Sequence, residues 1–540
     1  MYIDGKWVNS ESEKSFESYN PATEEPWAII PEAGVNDVDL AVKAAHRAFN
    51  EGPWPKMTAT ERGKLLYRLS EILHENSEIL GRVETKDTGK LLKETQWQAG
   101  YIAGYFQYYA GLADKVHGQT LPIDKPNTWT MTVREPLGVV AAIVPWNSQL
   151  FLVAVKIGPA LAAGNTVVLK ASENASAPLL EFAKVFEEAG FPQGVMNIVT
   201  GFGEPCAKSL TSHPLVDRVS FTGGPETARN VILNTTENLA QVSLELGGKS
   251  PMIIFEDADL ESAINGILLS IFSASGQSCV AGSRLLLQER IHNIVLDEIA
   301  TRAKQIRIGD PFDETSQMGP LATFEQLKKI KRNVLDATAN GATLIYGGAQ
   351  PNHLSKGWYC EPTIVDCPNQ NLGIVQNEMF GPVVSVLRFS QEEEAIKLAN
   401  DNRYGLASGV FTTNIGRALR VTKSLRAGIV WVNTYRMVSP MAPFGGYKDS
   451  GYGRESGLDA IYDYTRPKTI WLNTNKLGDC KELYYPCSWD FRGRAYVRCS
   501  NTPSPQGSDF QKALLLFANP KPIDDRSKFH LSIELANHAG

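Results

Sequence analysis

Between Leu137 and Gly248 the chain alternates short apolar runs with longer amphipathic ones, and this alternation narrows the possible folds more than any other feature. GVVAAIVPW (138–146), NTVVLK (165–170), VMNIVT (195–200) and RVSFTG (218–223) are predicted as short buried strands. Phe151–Ala163 is predicted as a helix ending at Gly164. A second helix is predicted over Ser176–Ala189, with Ser176 as N-cap, Pro178 in the first turn and Gly190 as C-cap. A β-α-β-α-β order predicts a parallel sheet covered on both faces. Ligands of such sheets bind at the carboxyl ends of the strands. Those ends carry PWN, LKASE, TGFGE and FTGG, which are polar and glycine-rich, as a nucleotide site needs.

A second alternating region follows Pro251. SRLLLQ (283–288), VVSVLRF (383–389) and GIVWVN (428–433) are predicted strands and Leu296–Ile306 a helix, which together predict a second α/β domain. With 540 residues, two or more domains are expected. YTRPKTIWLN (464–473) reads as a late, isolated strand, which needs a pairing partner elsewhere, in this chain or another subunit. Beyond Asn475 the texture changes. Cys480, Cys487 and Cys499 fall among Trp, Tyr, Pro, Ser and Asn without a period, and NTPSPQGSD (501–509) is expected to be a loop or disordered. No chemistry is read in this tail.

Net charge is −6 with both signs spread along the chain, which argues against an electrostatic nucleic-acid binder. The longest apolar stretch, Gly138 to Lys170, is interrupted by Pro145, Asn147, Lys156, Pro159 and Asn165, so no membrane span is expected. MYIDGKWVNS lacks the apolar core of a signal peptide, and seven cysteines in a long chain suggest a reducing compartment, so a cytoplasmic protein is expected. Neither CxxC nor HExxH occurs, and no metal is expected.

Cys279 sits in FSASGQSCVAGS (272–283), among small residues that would let a substrate approach. A lone cysteine is more often a small buried hydrophobe, but Ser275, Gly276, Gln277 and Ser278 make a poor core segment. Glu245, in LELGGKSP (244–251), ends a strand beside flexible backbone, where a carboxylate can act as a general base or simply be a solvated loop residue. Asn147, in PWNSQ, is an amide at another strand end, able to donate to an oxyanion or to form a turn. Lys170 and Glu173, in LKASE, could grip ribose hydroxyls or be a solvated pair. GFGEP (201–205) is only a weak phosphate signal.

Together these segments resemble the aldehyde dehydrogenase superfamily. The Cys279 segment fits that family's cysteine signature and LELGGKSP its glutamate signature; PWN, LKASE, FTGG, EMFGPV (378–383) and PFGGYKDSG (443–451) follow in its order. The resemblance covers roughly residues 1 to 474, and the tail lies outside it. It implies an α/β fold with a Rossmann-like NAD-binding domain (1–117 and 137–247), a second α/β catalytic domain (248–449) and a small β oligomerisation segment (118–136 and 450–474). It implies an NAD-dependent oxidation of an aldehyde to a carboxylic acid, by a homodimer or homotetramer. Cys279 would attack the aldehyde, Asn147 and the Cys279 N–H would hold the oxyanion, Glu245 would activate water against the thioester, and Glu455, in GRESG, would help pass protons. The cofactor would be met by Ile143, Pro145, Trp146, Asn147, Lys170, Glu173, Gly203, Phe221, Thr222, Gly223, Gly224, Leu246, Glu378 and Phe380. Gly224 stands where the family commonly has Ser, and Glu173 would repel a 2′-phosphate, which favours NAD over NADP. Ser148, Val155, Arg436 and Phe444 would line the substrate tunnel; Ser148 and Val155 replace common aromatics, so a polar or anionic aldehyde is expected. Arg436 would pair with a carboxylate or phosphate of the substrate, or else bond to backbone carbonyls or a neighbouring subunit. The alternative reading is a catalytically impaired structural or binding relative, suggested by the atypical tail.

Overall fold

The computed structural model describes residues 1–474 and the paired strands Cys487–Trp489 and Ala495–Val497. Of the tail features, Cys480, Cys499 and residues 501–509 lie outside the described residues.

Five of the predicted features form one parallel sheet: Val139–Ile143, Thr166–Lys170, Met196–Val199, Arg218–Gly223 and Gln241–Leu246. The first strand stops at Ile143 rather than Trp146, because Pro145 has no N–H to offer the ladder. In space the order is Met196–Val199, Thr166–Lys170, Val139–Ile143, Arg218–Gly223, Gln241–Leu246. The chain therefore winds outward in both directions from Val139–Ile143, and its switch point lies between that strand and Arg218–Gly223. A crevice opens there, at the carboxyl ends of the two strands. Two short antiparallel strands flank the sheet: Tyr2–Ile3 joins Met196–Val199, and Gly451–Tyr452 joins Gln241–Leu246 with Glu245 opposite Gly451.

The helix after the first strand spans Gln149–Ala163 and ends at Gly164, whose φ of 100° suits glycine. It is apolar on every face and almost wholly buried, as such a sequence requires. The next helix, Ala177–Glu188, follows Ser176, but the Ser176 Oγ donates to the Ser172 carbonyl and does not cap the first turn. Gly190, at φ 82°, lies one residue past the C-cap.

A second sheet has the order Thr343–Tyr346, Thr363–Asp366, Val383–Phe389, Arg284–Gln288, Pro251–Ile254, Ala407–Phe411, Ile429–Val432, parallel except for Thr343–Tyr346. The helix expected from Leu296 begins at His292, and ends at Lys304. Its first turn carries His292 and Asn293, whose polarity hides it from an apolar pattern. Thr465–Asn473 is not isolated: it belongs to a three-stranded sheet with Thr128–Pro136 and Thr120–Leu121. By compactness, Met1–Gln119 with Thr132–Lys468 form one unit, and Thr120–Met131 with Thr469–Thr474 belong to another. No described helix is long and apolar enough to cross a membrane.

Candidate active site

At the switch point a cavity of about 780 Å³ opens within the first unit. It gathers Asn147, Glu245, Cys279 and Glu455, the four residues expected to do chemistry. It also gathers Pro145, Trp146, Thr222, Gly223, Gly224, Leu246, Glu378 and Phe380 from the expected cofactor set, and Ser148, Val155, Arg436 and Phe444 from the expected substrate set. Ile143, Lys170, Glu173, Gly203 and Phe221 do not line it. Ile143 and Phe221 pack in the core under the sheet. Gly203 is exposed on the following loop. Lys170 is buried and pairs with Glu173 at 2.8 Å, so the two are partners of each other, with Glu173 partly open to solvent.

Cys279 follows a loop held in an unusual backbone. The helix Leu260–Phe272 ends, and Ala274 and Ser275 then take left-handed φ values of 52° and 53°. Such angles cost a non-glycine residue of order 1–2 kcal/mol each and persist only where neighbours hold them. Here they do. Ala274 N donates to Glu94 Oε1 at 2.9 Å, Ser275 Oγ to the Gly319 carbonyl at 2.8 Å, and Ala322 N to Gln277 Oε1 at 2.8 Å. Gly276 is required by a close approach, since a Cβ there would lie 2.2 Å from the Gly381 carbonyl oxygen. Burial pushes the Cys279 thiol up to about 12, with the charges of Glu378 and Glu245 adding to the rise and Arg436 opposing it.

Asn147 donates Nδ2 to the Gln277 carbonyl at 3.1 Å. One amide hydrogen is thus used to fix the side chain against the cysteine loop, and the second is left for a ligand. Glu245 is 3% exposed, and neither of its carboxylate oxygens has a hydrogen-bond partner. Burial, then repulsion from Glu455, holds its carboxyl well above the usual glutamate range, against the pull of Lys156 and Arg454. An unpaired carboxylate at this depth is costly unless it has a task.

Glu455 is buried and paired with Lys156; Lys156 Nζ also donates to Ser220 Oγ at 3.2 Å. Sequence reading treated Lys156 only as an interruption of an apolar stretch. A lysine within QLFLVAVKIGPALAA was itself the signal, since an ion there must find a counter-ion. Also missed were Lys90, Glu94, Trp97 and Gln98, which bring the helix Leu92–Leu112 and the loop before it to the cavity wall.

The cavity's other end fits a dinucleotide. Gly224 precedes the helix Pro225–Asn234, whose first amides lack helical partners, and the space around Gly224 is open. Thr222 Oγ1 is buried without a partner. Glu378 is raised to about 7 by burial and accepts from Gly248 N at 2.8 Å. Gly247 lies against the Glu378 carboxylate, which a Cβ there, 2.1 Å from Oε2, would displace. Trp146 meets Phe380 edge-on, ring centroids 5.3 Å apart. Arg436, at φ 60°, donates Nη1 to the Ser273 carbonyl at 3.2 Å and the Leu269 carbonyl at 3.4 Å, the backbone bonding raised as one alternative for it, and it also lines the cavity.

A doubly wound sheet with a half-buried cysteine and an unpaired glutamate at its switch point defines a nucleotide-dependent enzyme of covalent type. The chain belongs to the aldehyde dehydrogenase family, whose model matches residues 7–470. It is 54% identical to (Z)-2-((N-methylformamido)methylene)-5-hydroxybutyrolactone dehydrogenase of Acinetobacter baylyi, over 87% of this chain and 96% of the relative. It is 42% identical to betaine aldehyde dehydrogenase of Bacillus subtilis, over 88% and 97%. Among solved structures, an NAD+ complex of aldehyde dehydrogenase from Bacillus cereus superposes with a TM-score of 0.86 at 42% identity, covering 88% of this chain and 96% of that one.

Proposed function

We propose that this protein oxidises an aldehyde to the carboxylic acid with NAD, through a thioester on Cys279. The observation that carries the reading is the meeting of Cys279, the half-free amide of Asn147 and the unpartnered carboxylate of Glu245 in one cavity. The Cys279 sulfur bonds to the aldehyde carbon as its proton leaves to water in the cavity. The oxygen takes the electron pair, and Asn147 donates to it where charge develops, an effect worth ~3 kcal/mol in comparable sites. NAD, when bound, accepts the hydride that leaves this carbon. Glu245 then takes a proton from water, whose oxygen bonds to the thioester carbon while the C–S bond breaks. Glu455, joined to Lys156 and Ser220, receives that proton from Glu245 and returns it to solvent. The balance is aldehyde, NAD+ and water giving carboxylate, NADH and two protons.

The cofactor end is formed by Pro145, Trp146, Leu246, Glu378 and Phe380, with Thr222, Gly223 and Gly224 taking the pyrophosphate. Lys170 and Glu173 end the Thr166–Lys170 strand, where the adenosine ribose is expected, and the Glu173 charge favours NAD over NADP. The wall made by Ser148 and Val155 offers little ring surface, which suits a polar substrate. The protein works as a homodimer or homotetramer in the cytoplasm. The exposed Trp471 on the late strand and the free thiols of Cys206, Cys279, Cys360 and Cys367 support this. The intact catalytic set favours an active enzyme over an impaired relative. Incubation with an aldehyde and NAD in ¹⁸O-water tests the reaction: growth of NADH absorbance with one ¹⁸O in the acid is expected, and no NADH with any aldehyde of a broad panel refutes it.

A further inference from the structure

We infer that the substrate is an aldehyde bearing a carboxylate a few carbons from the carbonyl, a 4-oxo acid or its ring-closed hydroxylactone, and that Arg436 holds the carboxylate. This rests on the proposed reaction and names its substrate class.

Three cations reach the cavity wall away from the cofactor end: Lys90, Lys93 and Arg436. Lys90 is fully committed, and Lys93, exposed and held by one bond, keeps two donors but has no planar fork. Lys90, 3% exposed, donates to Glu84 at 3.1 Å, to Gln98 at 2.5 Å and to Ser148 Oγ at 3.3 Å, which uses all three of its hydrogens. Lys93 donates to the Ser316 carbonyl at 2.6 Å. Arg436 is different. Its hydrogen bonds are two backbone contacts from a single nitrogen, and among the described residues it forms no ion pair. The planar fork of its other donors is left for a ligand, and a carboxylate fits that fork with two parallel bonds. The one nearby acid, Glu94, is already engaged: its Oε1 accepts from Ala274 N at 2.9 Å and its Oε2 from Leu91 N at 3.3 Å.

Two further observations bear on the geometry. Arg436 sits at φ 60°, a cost that a surface arginine has no reason to carry and that turns this side chain to the cavity. Arg436 and Cys279 line the same cavity, so one ligand can meet both. The relative that is 54% identical is named for a 5-hydroxybutyrolactone. Such a ring is the closed form of a 4-oxo acid. Opening moves the hydroxyl proton to solvent, breaks the ring C–O bond and frees an aldehyde and a carboxylate. Arg436 would capture the open form by its carboxylate and present the aldehyde carbon to Cys279, whose oxidation then gives a dicarboxylate.

The test compares 4-oxobutanoate with its methyl ester, equal in length but neutral, in the wild type, Arg436→Gln and Arg436→Lys. Because Arg436 also ties down the Ser273 carbonyl, the neutral ester reports any damage to the cysteine loop. The expected result is a KM for 4-oxobutanoate that rises ten- to a hundred-fold more than the ester's KM in Arg436→Gln, and by less in Arg436→Lys, whatever loss the two substrates share. Equal losses on both substrates, or a wild type that prefers the ester, overturn the inference while leaving the oxidation itself standing. Absence of NADH formation with either compound and with simple aldehydes refutes the underlying reaction instead.

Discussion

Replacing Glu245 by Gln keeps the side chain's shape and removes its charge and its basicity. Positioned general bases contribute typically 10²–10⁴-fold, so steady-state turnover should fall at least about a hundredfold. Attack by Cys279 and hydride transfer do not need this carboxylate. A rapid burst of about one NADH per site should therefore survive, followed by slow release of acid. The same variant has a stability signature. The folded protein holds the Glu245 proton more tightly than the unfolded chain, through burial first and then the Glu455 charge. A raised pKa gives a contribution that is fully present below the unfolded value of about 4.3 and is lost as pH rises toward the folded value. Within that window wild-type stability should fall relative to Glu245→Gln by about 1.4 kcal/mol per pH unit. Stopped-flow absorbance reads the burst, and denaturant melts at several pH values read the stability. Turnover within tenfold of wild type, or a stability difference independent of pH, would refute the role given to this buried carboxylate.

Cys279→Ser should leave less than about one per cent of NADH production with NAD binding nearly intact by fluorescence titration; more residual activity would exclude a covalent thioester. Glu173→Gln should raise kcat/KM with NADP by up to roughly fivefold, the scale of a partly solvated charge effect, because it removes a negative charge and frees Lys170 from its 2.8 Å pair; no change would remove both residues from the ribose site. Lys156→Met should cost about 3–5 kcal/mol in denaturant melts by stranding the buried Glu455, and a second change, Glu455→Gln, should restore part of it; a single variant as stable as wild type would contradict the pair's importance.

How much of this was legible in the sequence depends on where each residue's partner lies. The five parallel strands could be read because each is a short apolar run bounded by turn residues, a local pattern. Their carboxyl ends pointed to the crevice, and Asn147, Glu245 and Gly224 duly line it. The Ser176 cap failed because its hydroxyl found a competing acceptor four residues back. The pairing of the edge strands was illegible for another reason. Tyr2–Ile3 is two residues long and pairs with Met196–Val199, and Thr465–Asn473 finds its neighbour in Thr128–Pro136. No window of local sequence holds both members of such a pair. The Lys156–Glu455 contact joins residues 299 positions apart, and the wall supplied by Lys90, Glu94 and Trp97 depends on how helix Leu92–Leu112 packs. These are tertiary facts, and only the oddity of a charged residue in an apolar helix hinted at one of them.

Several of the places where the protein breaks its own packing rules line the cavity, while others, such as Lys249, Gln370 and Leu239, lie elsewhere. Glu245 and Thr222 carry buried oxygens without hydrogen-bond partners, and both line it, as does Tyr435 with an unpartnered hydroxyl. Ala274, Phe380, Arg436 and Ser456 hold left-handed φ values without being glycine, and all four line it too. Each such departure costs of order 1–3 kcal/mol. A chain selected only for stability would shed them one by one, since a Ser or Gln at Glu245 or a Gly at Ala274 is chemically easy. At this crevice the stability of the two large sheets is used to hold groups in states they would not adopt alone. Glu245 is kept poorly solvated and ready to take a proton, Cys279 is held on a strained loop, and Arg436 is turned inward with donors to spare.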